Sequence, residues 1–534
     1  MVAVIGLLFV GTSCSQKTEE EAPKRPNIIF IMSDDHAYQA ISAYDDKLIQ
    51  TPNIDRLAEE GMLFTNASVT NSICAPSRAT ILTGKHTHIH GKIDNVFPFD
   101  TTNVTFPQIL QDNGYQTAMF GKLHFGNNPK GFDEFKILPG QGDYYNPEFI
   151  TSEGDTTVEG YVTDIITDLT IDWFDNRREE EKPFMLFYLH KAPHREWIPA
   201  PRHYREFTKR NFPEPETLFD DYEGRGTAAR EAEMNILRHM TVSADNKIYP
   251  EVAKELGIKE MSEWGFRVFD QKYSRFTEEQ KQDWDEVYGP INERFKEIYP
   301  HMNDTSYMRW KYQRYMQDYL ATIAAVDENV GRLLTYLDEN GLSENTIVVY
   351  TSDQGFYLGE HGWFDKRFIY NESFKTPLLV KWPEKIKAGT VSTEMVQNLD
   401  FAQTFLEAAG VEAPDDMQGE SLMPLLEGNT DQWTRDAVYY HYYEYPGFHM
   451  VKRHYGIVTQ DYKLAHFYYD IDEWELYDRK KDPMELNNVY NDPAYADVVK
   501  ELTEKLKNMR EKYKDSEELN QHYIDMYKKR GIIK

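Results

Sequence analysis

A chain of 534 residues can hold two or more domains, or one large α/β core with a smaller lobe. With 89 acidic against 59 basic side chains the net charge is −30, which excludes nucleic acid as a partner, since phosphate backbones need a basic stripe. Only two cysteines are present, Cys14 and Cys74, so a disulfide-stapled scaffold is excluded too.

In chain order, residues 2–10 form an apolar run too short to span a membrane, followed by Gly11, Thr12, Ser13 and Cys14 and then a polar, acidic stretch. This pattern resembles a bacterial lipoprotein signal, with Cys14 as the lipidated residue and residues 1–25 as signal and tether. Gly11 stands where a Leu is usual and no Lys or Arg precedes the run, and an ordinary secretory signal is the alternative. Either way the protein is expected to be exported, to the periplasm or the outer-membrane surface, touching membrane only through a lipid anchor.

Residues 27–32 are continuously apolar and run into Asp34, Asp35 and His36, the mark of a buried parallel strand delivering polar groups at its C-terminal end. Open α/β sheets place ligands at that end. A helix is expected over 53–61 after Pro52, and another from Cys74 to a glycine stop at Gly84. Strands are expected at 115–120, before Lys122 and His124, and at 184–189, before His190 and His194. Residues 200–310 read as helical excursions, 312–339 as one long amphipathic helix closed by Gly341, and 346–350 as a fourth strand ending in Asp353 and Gln354. A helix near 395–409 and a loop-rich crossing at 414–428 follow. From 431 onward, aromatic alternating segments at 439–445 and 455–467 and a charged helix at 496–515 suggest a smaller α+β subdomain.

Adjacent Asp34 and Asp35 at a strand end would repel each other unless a cation sits between them. Asp353 and Gln354 add a third carboxylate and an amide oxygen, an all-oxygen set suited to Ca²⁺ or Mg²⁺ rather than zinc. Cys74 sits in a Pro-Ser-Arg turn opening a helix, where backbone N–H groups favour a bound anion.

Cys74-Ala-Pro-Ser-Arg78 resembles the maturation signature of the type I sulfatases, in which the cysteine is oxidised to formylglycine and its hydrate attacks a sulfate ester. The resemblance runs from about residue 27 to residue 488. It implies an α/β, alkaline phosphatase-like sulfatase fold, with a large mixed sheet flanked by helices over 26–430 and the α+β subdomain over 431–534. It further implies a calcium ion, with Mg²⁺ as the alternative, held by Asp34, Asp35, converted Cys74, Asp353 and Gln354, the last standing where Asn or His is often found. Arg78 would orient the hydrate and the metal-bound carboxylates. Lys122 and Lys366 would bind sulfate, His124 would serve as base toward the formylglycine, and His194 would protonate the leaving oxygen. A formylglycine-generating or anaerobic sulfatase-maturating enzyme is an implied partner.

Three further stretches, 190–197, 83–88 and 353–361, look like the N-acetylglucosamine-6-sulfatases and their endosulfatase relatives. The implied substrate is the 6-O-sulfate of N-acetylglucosamine in glycosaminoglycan or mucin-type oligosaccharides. Asp365 and Arg367, flanking Lys366, are expected to reach the sugar ring, or else to pair with each other at the surface; His449 would close the far side. The alternatives are another glycan or aryl sulfatase, of iduronate 2-sulfatase or algal-polysaccharide type, a phosphatase or phosphonate hydrolase of the same superfamily, and a non-catalytic glycan-binding lipoprotein.

Overall fold

The computed structural model describes residues 24–259 and 263–533; the leading apolar run and Cys14 lie outside the described residues. Ten strands form one mixed sheet: β1 (Asn27–Ser33), β2 (Met62–Phe64), β3 (Gln116–Lys122), β4 (Glu134–Leu138), β5 (Glu148–Thr151), β6 (Thr156–Thr157), β7 (Phe184–Leu189), β8 (Thr346–Ser352), β9 (Leu378–Lys381) and β10 (Thr390–Ser392). Their spatial order is β10-β2-β9-β8-β1-β7-β3-β4-β5-β6, with the parallel strands β8, β1, β7, β3 and β4 at the centre. Every residue of β1, β7 and β8 is buried, as sheets covered on both faces require.

The covering helices are α1 (Pro52–Glu59), α2 (Cys74–Thr83), α3 (Val162–Asn176), α4 (Asp304–Glu339) and α5 (Phe401–Ala408). Alternation along β1 splits the core between two layers. Ile28, Phe30 and Met32 pack with Ala79 and Leu82 of α2 and Phe401 and Phe405 of α5. Ile29 and Ile31 face Leu57 of α1, Ile166 and Trp173 of α3, and Val330 and Leu334 of α4.

Helix α4 begins eight residues before the position its apolar repeat suggests. A capping box starts it there, in which Asn303 Oδ1 accepts from Ser306 N–H at 2.9 Å while Ser306 Oγ accepts from Asn303 N–H at 3.0 Å. The segment at 455–467 is not one alternating strand but two, joined by a tight turn. β11 (Ala437–Tyr442), β12 (His454–Thr459), β13 (Tyr462–Phe467) and β14 (Glu473–Asp478) make an antiparallel meander. Helix α6 (Ala496–Lys512) packs Leu502 and Leu506 on one face of it, and α7 (Glu517–Lys529) follows. Among the described residues no helix is long and apolar enough to cross a membrane.

Candidate active site

Strand register brings the polar ends together. Met32 pairs with Leu189 on one side and Thr351 on the other, and Leu189 pairs with Gly121, so the residues that follow leave the sheet along one edge. Gly121 itself has φ +109°, and a Cβ there would lie 1.8 Å from Leu189 O, so only glycine lets the strand deliver Lys122 this close to its neighbour.

Asp34, Asp35, Asp353 and Gln354 are fully buried. One carboxylate oxygen from each of the three aspartates lies within 4.8 Å of the others, and the Asp35 N–H donates to Asp353 Oδ1 at 3.1 Å. Burial pushes the Asp35 carboxyl up to about 7, against the opposing charge of Lys366. Gln354 Nε2 donates to Asp35 Oδ1. Among the described residues, Asp34 Oδ1 and Gln354 Oε1 are buried without a hydrogen-bond partner. Buried oxygens left this way are costly unless something positive meets them, and three carboxylates with an amide oxygen are the donors a hard divalent cation takes. The residues present therefore fit such an ion.

Helix α2 starts at this cluster. Cys74 is fully buried, and its Sγ lies within 4.8 Å of ligand atoms of Asp34 and His194. Burial pushes the thiol above its ordinary range. One turn along, Arg78 Nε donates to Asp353 Oδ2 at 3.0 Å, its second nitrogen lies 2.9 Å from the same oxygen and 3.7 Å from Asp34, and NH1 donates to the Lys122 carbonyl. Ser77 Oγ donates to the Asp353 carbonyl and accepts from Asn398 Nδ2 at 2.8 Å.

Two lysines face the carboxylates. Lys122 Nζ pairs with Asp34 and donates to Gln141 Oε1; Lys366 Nζ lies 2.7 Å from both oxygens of Asp35. His194 Nδ1–H donates to Arg195 O at 2.6 Å, leaving Nε2 turned to the site at 3.7 Å from Asp35 Oδ2. His124 is half-buried, and its Nδ1 has no hydrogen-bond partner among the described residues. Burial, with Lys122 and Arg78 nearby, holds its imidazole well below the usual range.

Asp365 and Arg367 do pair, but in the interior. Arg367 Nε donates to Asp365 Oδ1 at 3.0 Å, and NH1 donates to Glu444 Oε1 at 2.7 Å, tying the loop to the segment that follows β11. His449 Nε2 lies 3.3 Å from Asp365 Oδ2, and its Nδ1–H donates to Glu233 O. Although burial raises it, the Asp365 carboxyl is held well below the carboxylate range by His449, Lys366 and Arg367. Asp35, His124, Asp365, Arg367 and His449 all have positive φ, 66° to 99°. Such strain in non-glycine residues persists where surrounding structure over-determines it, and it concentrates at functional sites.

Several contributors carry no sequence signal. Gln141 holds Lys122, Asn95 Oδ1 accepts from the Ala75 N–H at 3.1 Å at the start of α2, and Glu444 Oε2 accepts from the Asn95 N–H at 2.9 Å.

Comparison with known proteins places this geometry. The family model described as Sulfatase matches residues 26–411, and that of the N-sulphoglucosamine sulphohydrolase C-terminal region matches residues 359–512. The chain is 51% identical to the N-acetylglucosamine-6-O-sulfatase of Bacteroides thetaiotaomicron, over 95% of this chain and 89% of that protein. A solved structure of a protein in complex with its substrate D-glucosamine-2-N,6-O-disulfate superposes with TM-score 0.87 at 50% identity, covering 92% of this chain and 99% of that one. The phosphonate monoester hydrolase of Agrobacterium radiobacter shares the fold, with TM-score 0.65 at 20% identity over 92% of this chain and 96% of that one. The fold is thus the alkaline phosphatase-like one, and sulfatases generally use a formylglycine and a divalent metal ion. With its strand-end carboxylates, its Cys-x-Pro-Ser-Arg helix and a family match over most of its length, this chain belongs to the sulfatase family and is a sulfuric ester hydrolase.

Proposed function

We propose that the enzyme removes the 6-O-sulfate of N-acetylglucosamine, or of its N-sulfated counterpart, from glycosaminoglycan or mucin-type glycans. The reading is carried by one observation: Asp34, Cys74 and His194 bring ligand atoms within 4.8 Å of one another at the sheet edge. The substrates named for the two relatives at 50% identity or more supply the sugar.

Asp34, Asp35, Asp353, Gln354 and residue 74 would hold Ca²⁺, with Mg²⁺ the alternative; when bound, the ion supplies positive charge for the sulfate and acidifies a hydroxyl beside it. Conversion of Cys74 to formylglycine supplies that hydroxyl as the hydrated aldehyde. Arg78 fixes the carboxylates through Asp353 and excludes other rotamers. Lys122 and Lys366 meet the sulfate oxygens, where charge is spread in the transition state. His194 Nε2 gives its proton to the departing O6, and His124 takes a proton from residue 74. Asp365, Arg367 and His449 receive the hydroxyls of the sugar ring. Since Cys74 is fully buried, a bulky maturating enzyme meets it before folding, while the small sulfate end of the substrate reaches it in the folded site.

The test is sulfate release from position-defined sulfated monosaccharides by matured protein. Release from the 6-sulfate is expected, with Cys74→Ser inactive at an unchanged melting temperature, and with chelation abolishing activity that Ca²⁺ restores. Full activity with mass spectrometry showing unconverted Cys74, or equal release from 2-, 4- and 6-sulfates, would overturn it. Export and lipidation at Cys14 complete the proposal, and labelled palmitate incorporation lost in Cys14→Ala checks the anchor.

A further inference from the structure

A cleft of about 530 Å³ opens beside the site, within the range of small-ligand sites, about 300–1,000 Å³. It continues the wall that Asp365 begins. His449, 3.3 Å from Asp365, lines the cleft, and its ring packs edge-on against Phe364 at 5.3 Å. Arg195, next in sequence to His194, lies over Phe364 at 5.0 Å and over Trp264 at 4.6 Å. Both Arg195 nitrogens that face Asp245 donate to it at 2.6 Å, so this guanidinium is rigid and its charge already matched.

Two features stand open to solvent. Phe448, 6.0 Å from the Trp264 ring, is 52% exposed, an aromatic face of the kind that takes the apolar side of a sugar ring. Arg238 and Lys259 stand exposed at the rim, and Glu233 is the one carboxylate among the described lining residues. On a molecule of net charge −30 a cleft so lined is a local reversal of sign.

We propose that this cleft receives the sugar next in the chain to the 6-sulfated glucosamine, and that the sugar it selects is acidic, a hexuronate or a sulfated hexose. The inference rests on the 6-O-sulfatase reading and narrows it toward glycosaminoglycan oligosaccharides over neutral mucin chains. It adds a binding surface and changes no chemical step.

The test compares kcat/KM at low salt for four substrates: 6-sulfated N-acetylglucosamine, its N-sulfated counterpart, and disaccharides in which the 6-sulfated sugar is followed by a hexuronate or by galactose. In the wild type the hexuronate disaccharide is expected to exceed the N-acetylated monosaccharide and the galactose disaccharide by about tenfold. In the Arg238→Ala/Lys259→Ala/Phe448→Ala variant that advantage shrinks to about twofold or less, while the monosaccharide rate and melting temperature hold. No advantage in the wild type, or equal losses on all four substrates, overturns the cleft assignment and leaves the 6-O-sulfatase reading standing. A gain of the same size from N-sulfation alone, lost in the variant, moves the cations to the same ring and also overturns it. Absence of release from any 6-sulfated sugar instead defeats the reading beneath it.

Discussion

His194 reaches the site with one ring nitrogen committed to the Arg195 carbonyl, so Nε2 is the atom free to carry a proton to the leaving oxygen. A sugar alkoxide departs poorly without that proton, whereas a nitrophenolate does not need it. His194→Ala is therefore expected to lower kcat on a 6-sulfated sugar by about 10²–10⁴-fold and to affect 4-nitrophenyl sulfate far less. Parallel assays of the two substrates check this, and equal losses would reduce His194 to a positioning residue. At this scale much is legible in the sequence. Cys74 and Arg78 stood in a motif, and Asp34, Asp35, Asp353, Lys122 and His194 each followed an apolar run. Gln141, Asn95 and Asn398 were not, because one or two side-chain hydrogen bonds leave no periodicity to read. For Asp365 and Arg367 the sequence left pairing and ring contact open, and the mutual bond lies in the interior, where Glu444, from the segment that follows β11, completes it.

Among elements, the long and uniformly apolar ones were readable. β1, β7 and β8 are six or seven residues long with no exposed position, and a strand buried on both faces has to be written that way. β2, β9 and β10 escaped notice because three or four residues are too few to show alternation, and they are strands only because the sheet gives them partners. The start of α4 was hidden for a different reason. Its first three residues, Asp304, Thr305 and Ser306, are polar, and the helix begins where the Asn303 cap satisfies its free N–H groups. The turn between β12 and β13 was invisible for the converse reason, since Tyr455, Ile457, Leu464 and Phe467 continue the aromatic and aliphatic texture across it.

For the whole molecule, buried histidines set the response to acid. His454 Nδ1–H donates to Lys452 O at 2.8 Å and Nε2 accepts from the Ile369 N–H at 3.1 Å, a pattern that only neutral imidazole satisfies. Burial lowers its pKa to about 3, and His90 is held near the same value by burial and by His88, Lys85 and Lys92. Below about pH 6.5 the unfolded chain takes up protons that the folded one refuses, so stability falls as pH drops toward 3. Urea midpoints should decline from pH 7 to pH 5, and His454→Gln should reduce that pH slope by about one proton. An unchanged slope would show that His454 does not contribute.

Strand β1 lies at the centre of the sheet, between β7 and β8, and the latter is not synthesised until residue 346. At about 5–20 residues per second the growing polypeptide keeps β1 without one flank for roughly 14–54 seconds after residue 74 emerges. The thiol that ends wholly enclosed therefore spends its youth in the open, and any chemistry done to it by another molecule has a deadline written into the topology.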